Sequence, residues 1–82
     1  MNKNNWQVYI LRCGDGSLYT GITNDLARRI EKHQNGKGAK YTKSRGPLTL
    51  VYQETLPDRS AATKREMHIK ALTRQEKLAL IG

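Results

Sequence analysis

With 82 residues, the chain has material for one small domain, spanning residues 1–82, and none for a second. Lys and Arg outnumber Asp and Glu by 15 to 7, a formal net charge of +8, while 37% of residues are hydrophobic, enough for a modest core. Such an excess on so small a domain points to a polyanionic partner, nucleic acid before an anionic membrane, since no long apolar run is present and no helix joins a basic face to Trp or Phe. The plain alternative is a basic protein that is only soluble.

The opening MNKNNWQ lacks the apolar stretch of a signal peptide, so the cytoplasm is the expected location. WQVYILRC (6–13), rich in β-branched and aromatic residues, predicts a strand. Its Cys13 is the only cysteine, which excludes an intramolecular disulfide, and one Cys with two His cannot close an ordinary zinc site. GDG (14–16) has the residues of a tight hairpin turn, which accounts for Asp15, and SLYTGIT (17–23) predicts the returning strand. The hairpin brings Tyr9 near Tyr19. Alternation sets Gln7, Tyr9 and Leu11 on one face, with Val8 and Ile10 on the other. Tyr19 shares a face with Ser17 and Gly21, and a glycine facing outward there implies open space.

TNDLARRIEKHQNG (23–36) predicts a helix, capped by Thr23, Asn24 or Asp25 and stopped by Gly36. KGAKYTKSRG (37–46) holds two glycines and four cationic residues and reads as a mobile basic loop. PLTLVYQET (47–55) predicts the third strand, opened by Pro47. PDRSAATKREMHIKAL (57–72) predicts a second helix. TRQEKLALI (73–81) predicts a third, because Thr73 and Glu76 stand at capping-box spacing. The element order is ββαβαα.

A helical wheel divides the charges. With Leu26 at zero, Ile30 falls at about 40°, and these two define the buried stripe. Arg29 comes at about 300° and His33 at about 340°, on one flank of the stripe and one turn apart. Arg28 comes at about 200°, away from the core, as a solvated charge. Arg29 and His33 either reach into a site from this border or merely cover the core edge with their apolar parts. On the second helix Ala62, Ile69 and Leu72 form the stripe and Glu66 flanks it. The ordinary reading of Glu66 is an ion pair with Lys70 at i,i+4.

GKGAK (37–40 with its preceding Gly36) lacks the spacing and the Lys-Ser/Thr ending of a Walker A loop, and no nucleophile elbow is present. No pair of carboxylates on a strand end suggests a two-metal nuclease. Nothing suggests an organic cofactor.

VYIL, then YTG ten residues on, then TNDLARRIEKH, together resemble the GIY-YIG nuclease domain family over most of the chain, from Trp6 to Leu80. The similarity is greatest to its short stand-alone members. It implies an α+β fold of order ββαβαα, with a small three-stranded antiparallel sheet flanked by helices. It also implies an endonuclease that hydrolyses DNA phosphodiester bonds, structure-directed or non-specific, on DNA that includes branched or single-stranded forms. Tyr9 stands at the tyrosine of the first motif, and Tyr19 and Gly21 at the tyrosine and glycine of the second. The family's catalytic arginine, eight residues after that glycine, corresponds to Arg29. A histidine one turn later in several relatives corresponds to His33, and the metal-binding glutamate after the third strand corresponds to Glu66. By resemblance Tyr9 acts as general base or its relay, and Arg29 pairs with the scissile phosphate. Tyr19 and His33 position water and phosphate. Glu66 holds one Mg²⁺ or Mn²⁺, completed by waters and phosphate oxygens.

A second reading keeps the fold as a nucleic-acid-binding module that cuts slowly or not at all. Lys37, Lys40, Lys43 and Arg45 fit either as contacts to the phosphate backbone. Tyr41 among them either stacks on an unpaired base or packs over the third strand.

Overall fold

The structure is a computed structural model and describes residues 5–82. The first four residues of MNKNNWQ, on which the expected absence of a signal peptide partly rests, lie outside them. The elements are β1 (Trp6–Arg12), β2 (Leu18–Thr23), α1 (Leu26–Gln34), a 3₁₀ turn (Lys40–Thr42), β3 (Thr49–Leu56), α2 (Arg59–Lys70) and α3 (Arg74–Ile81). The class is α+β, with a three-stranded sheet in the order β2-β1-β3 and both pairings antiparallel.

Local chemistry sets the boundaries. Asp25 caps α1 by accepting from the Arg28 N–H, so the helix starts at Leu26, three residues later than predicted. Asp58 does the same for α2 from the Ala61 N–H. Thr73 and Glu76 form the predicted capping box, which separates α3 from α2. β3 begins at Thr49 rather than Pro47, two residues later than predicted.

β1 is central in the sheet and is covered on both faces, so Val8, Tyr9, Ile10 and Leu11 are all fully buried. On one face Val8 and Ile10 meet Ala62 and Ile69 of α2. Leu18 and Ile22 of β2, Leu56 of β3, and Leu80 and Ile81 of α3 close around them. Full burial of one such aliphatic side chain contributes about 1.5–3 kcal/mol, so this layer is the main hydrophobic anchor. The opposite face carries Tyr9 and Leu11, with Tyr19 and Gly21 of β2, and it is covered differently. In α1 the predicted stripe residues Leu26 and Ile30 are only half-buried, and the buried residue is His33. The helix therefore seats on the sheet through a polar ring, and the site is built there. No described helix is long and apolar enough to cross a membrane.

Candidate active site

The hairpin register sets Tyr9 directly opposite Gly21. The space that Gly21 leaves is not open, as its position suggested, because the Tyr9 ring lies across it. A Cβ built on Gly21 would stand 2.6 Å from the Tyr9 hydroxyl oxygen and 2.8 Å from the ring carbon that bears it. Glycine at this register position is what lets the phenol lie over β2. Tyr19, two residues before it, packs beside Tyr9 with ring centroids 6.3 Å apart.

α1 brings two side chains to the same oxygen. His33 Nε2 is 2.8 Å from the Tyr9 hydroxyl, and Arg29 Nε–H donates to that hydroxyl at 3.4 Å. Both are on the border flank where the wheel places them, but His33 lies deeper than a border position, at 1% exposure. The reason is that both ring nitrogens have partners: Nδ1 lies 2.8 Å from Thr42 Oγ1. A buried imidazole is tolerated when its polar atoms are satisfied. Its ring also meets the Tyr9 and Tyr19 rings edge-on, at 5.8 and 5.3 Å.

The electrostatics follow from this packing. Burial pushes the Tyr9 phenol up, against the pull of Arg29. Burial, then the Arg29 cation, pushes His33 down, so its neutral form is favoured. The Tyr9 contact holds Arg29 in its charged form, with its pKa raised.

The segment predicted as a mobile basic loop instead folds onto the site. It carries the 3₁₀ turn, and Thr42 is buried at its end. Gly38 passes so close to the His33 ring that a Cβ there would overlap it. Tyr41 stacks on Tyr19 with centroids 5.9 Å apart, and the Arg45 guanidinium lies over the Tyr41 ring, 4.3 Å from its centroid. The Tyr41 ring thus covers Tyr19. Arg45 also pairs with Asp15 at the hairpin tip. Hydrogen bonds from Ser17 and this arginine lower the Asp15 carboxyl to about 2. Asp15 therefore has a tertiary role beyond turn chemistry. Lys37, Lys40 and Lys43 are exposed, whereas Arg45 is engaged.

Glu66 projects from α2 and is not hydrogen-bonded to Tyr9, Arg29 or His33. It forms the ordinary i,i+4 pair with Lys70, at 3.3 Å. Its side chain is mostly shielded, and its charge still reaches Tyr9, where it adds slightly to the upward shift of the phenol. Among the described residues no three His, Cys, Asp or Glu side chains converge to hold a metal. A single hard carboxylate beside an exposed, displaceable lysine fits an Mg²⁺ or Mn²⁺ ion completed by water and phosphate oxygens, and does not fit a protein cage.

Two features escape the sequence. Thr42 sits in a stretch without periodicity, between two lysines. Its only signal is the run of small residues at Gly36, Gly38 and Ala39, which permits close backbone approach. Arg28 is exposed, as the wheel has it, yet it also lines an open groove of about 460 Å³ with Arg29, Lys32 and the capping Asp25.

The GIY-YIG catalytic domain model matches residues 5–79. A UPF0213 protein of Staphylococcus epidermidis is 61% identical over 74 residues, 90% of each chain. One of Staphylococcus saprophyticus is 58% identical over 75 residues, 92% of each. The solution NMR structure of a UPF0213 protein from Bacillus halodurans is 51% identical and superposes with a TM-score of 0.62, over 94% of this chain and 82% of that one. The solution NMR structure of a protein from E. faecalis, 40% identical, superposes with a TM-score of 0.64 over 96% and 85%. A nuclease-type fold, the two tyrosines on a hairpin and the arginine on the following helix thus coincide with these similarities, and the chain belongs to the GIY-YIG family.

Proposed function

We propose that this protein is a metal-dependent DNA endonuclease, structure-directed or non-specific. The observation that carries the reading is the meeting of Tyr9, Arg29 and His33 at one phenolic oxygen. Each group has a role in phosphodiester hydrolysis that its environment supports. Arg29 lines the open groove and offers its guanidinium to the scissile phosphate. Tyr9 is fully buried, so the phosphate meets Arg29 first, and movement of Arg29 towards it uncovers the hydroxyl.

An unassisted phenol, pushed up by burial, is a poor base near neutral pH. Neutral His33 offers the phenol proton an acceptor in direct contact, Nε2 at 2.8 Å. Tyr9 gives its proton to His33 Nε2 and takes one from the attacking water. The water oxygen bonds to phosphorus as the bond to the 3′ oxygen breaks. The imidazolium so formed is flanked by the Tyr9 phenolate during transfer, which offsets its cost. Tyr19 holds the Tyr9 ring by a tilted contact and the His33 ring by an edge contact. Glu66 would hold one Mg²⁺ or Mn²⁺ in place of its pairing with Lys70. When bound, such an ion supplies Lewis-acid stabilisation of charge on the leaving oxygen. Lys37, Lys40 and Lys43 contact phosphates along the strand, and Tyr41 exchanges its stack on Tyr19 for an unpaired base.

Glu66 paired with Lys70 and Tyr9 fully buried are also what a binding module of the same fold presents. One incubation separates the two. Labelled flaps, forks, single strands and duplexes are exposed to wild type, Glu66→Ala and Arg29→Ala, with Mg²⁺ and with Mn²⁺. Cleavage by wild type that both variants lose supports the nuclease. Salt-dependent binding that survives Glu66→Ala, with every substrate uncut, supports the binding module.

A further inference from the structure

We infer that Thr42 is a positioning residue that fixes the tautomer of His33 and thereby makes its Nε2 the proton acceptor for Tyr9. The inference rests on the role proposed for His33 above, but its main test does not require cleavage.

A neutral imidazole has one N–H and one bare nitrogen, and which is which depends on its partners. The Thr42 hydroxyl has a single proton. That proton is committed to the backbone carbonyl of Ala39, at 2.9 Å. Towards His33, at 2.8 Å, Thr42 can therefore only accept, so the imidazole proton resides on Nδ1. Nε2 is then bare, and it faces the Tyr9 hydroxyl at 2.8 Å. The remaining side of that hydroxyl is occupied by a donor, the Arg29 Nε–H at 3.4 Å. With a cation donating to its oxygen, Tyr9 directs its own proton to Nε2. One directional chain results, from Arg29 through Tyr9, His33 and Thr42 to the carbonyl of Ala39. The opposite tautomer would set two N–H donors on Tyr9 and leave Nδ1 and Thr42 as two acceptors facing each other.

The backbone is shaped for this contact. Ala39 N-caps the 3₁₀ turn, and the Thr42 N–H also donates to the Ala39 carbonyl, at 3.1 Å. The hydroxyl orientation is thus tied to the turn itself. Gly38 lets the chain lie against the imidazole where any side chain would collide with it. The groups facing His33 are Tyr9 from β1, Tyr19 from β2, Arg29 from its own helix and Thr42 from the turn. Of these, Thr42 is the one in hydrogen-bond contact with Nδ1.

The test is long-range ¹H–¹⁵N NMR of the His33 ring in wild type, Thr42→Ser and Thr42→Val. Wild type and Thr42→Ser, which keeps the hydroxyl, are expected to show the Nδ1–H form. Thr42→Val fills the same volume without an acceptor, and the Nε2–H form is expected to become the major one. A second readout is cleavage, with about a 10²-fold loss in kcat for Thr42→Val, little change in KM, and rescue by Thr42→Ser. A wild-type ring protonated on Nε2, or a Thr42→Val ring that keeps its proton on Nδ1, overturns the inference. The wild-type spectrum decides even where Thr42→Val fails to fold. If the tautomers behave as expected while wild type cuts no DNA, the nuclease reading fails and the tautomer assignment stands.

Discussion

Gly21→Ala tests the core of the site by adding one methyl group. The backbone at Gly21 is not in the left-handed region, so alanine adopts it freely. In a strand this exchange by itself stabilises by about 0.5–1 kcal/mol. The new carbon, however, would stand 2.6 Å from the Tyr9 oxygen, and 3.1 Å from a ring carbon of Tyr19. An ordinary non-bonded separation is about 3.5 Å, so the phenol must retreat by about 0.9 Å. Tyr9 has no exposed surface into which to retreat, and its oxygen is held at 2.8 Å from His33 and 3.4 Å from Arg29. A shift of that size does not preserve both contacts. Overpacking of a buried site costs about 1–3 kcal/mol, and a buried hydroxyl and imidazole that lose each other cost about 1–3 more. After the backbone gain, the net expectation is a destabilisation of about 3 kcal/mol. For a domain of this size that lowers Tm by about 15 °C. On the proposed mechanism, misplacing the Tyr9 oxygen by nearly 1 Å is expected to cost cleavage about 10²-fold. Differential scanning calorimetry and a single-turnover cleavage assay read the two effects. An alanine variant as stable as wild type, cutting DNA equally well, would refute the packing of Tyr9 over Gly21.

Three further outcomes follow from separate features. Thr20 Oγ1 is buried without a hydrogen-bond partner, on the α2-facing side of β2, so the isosteric Thr20→Val is expected to raise stability by about 1 kcal/mol in urea unfolding; a loss would contradict this account. The His33 pKa is lowered in the fold, so the neutral ring contributes stability that is fully present above its ordinary value of 6.5 and is lost as pH falls through the window below it. Unfolding free energy is expected to drop as pH falls below 6.5, and to drop less in His33→Gln; equal slopes in the two proteins would exclude His33 as the source. Finally, each phosphate contact removed lowers the salt slope of DNA binding by about one. Neutralising Lys37, Lys40, Lys43 and Arg45 together is expected to lower it by about three rather than four, because Arg45 stays on Asp15, and Arg28→Ala by about one; unchanged slopes would exclude these surfaces.

The order and type of the elements were legible because their signals are local. The Thr73 and Glu76 capping box, the Asp-Gly hairpin tip and the β-branched run of β1 act within a few residues, and each appears in the fold where it was read. The same locality explains the errors at the edges. Any of Thr23, Asn24 and Asp25 can cap a helix by chemistry alone, and only the turn geometry selects Asp25. The wheel sorted Arg29 from Arg28 correctly, since it needs only the helical period. It ranked Leu26 and Ile30 above His33 for burial, because hydropathy does not register that a polar ring with two partners can be buried at little cost.

The sequence by itself determined the element order, the two tyrosines on one hairpin and the arginine one helix away, since periodicity and spacing are properties of the chain alone. Tertiary structure decided what Gly21 is for, that the segment from Gly38 to Arg45 closes over Tyr19 and His33, and that Thr42 meets the imidazole. These contacts join residues that carry no shared pattern, and their fit depends on distances of tenths of an ångström. Such distances are set by how the layers pack around β1, which no single segment of the chain encodes.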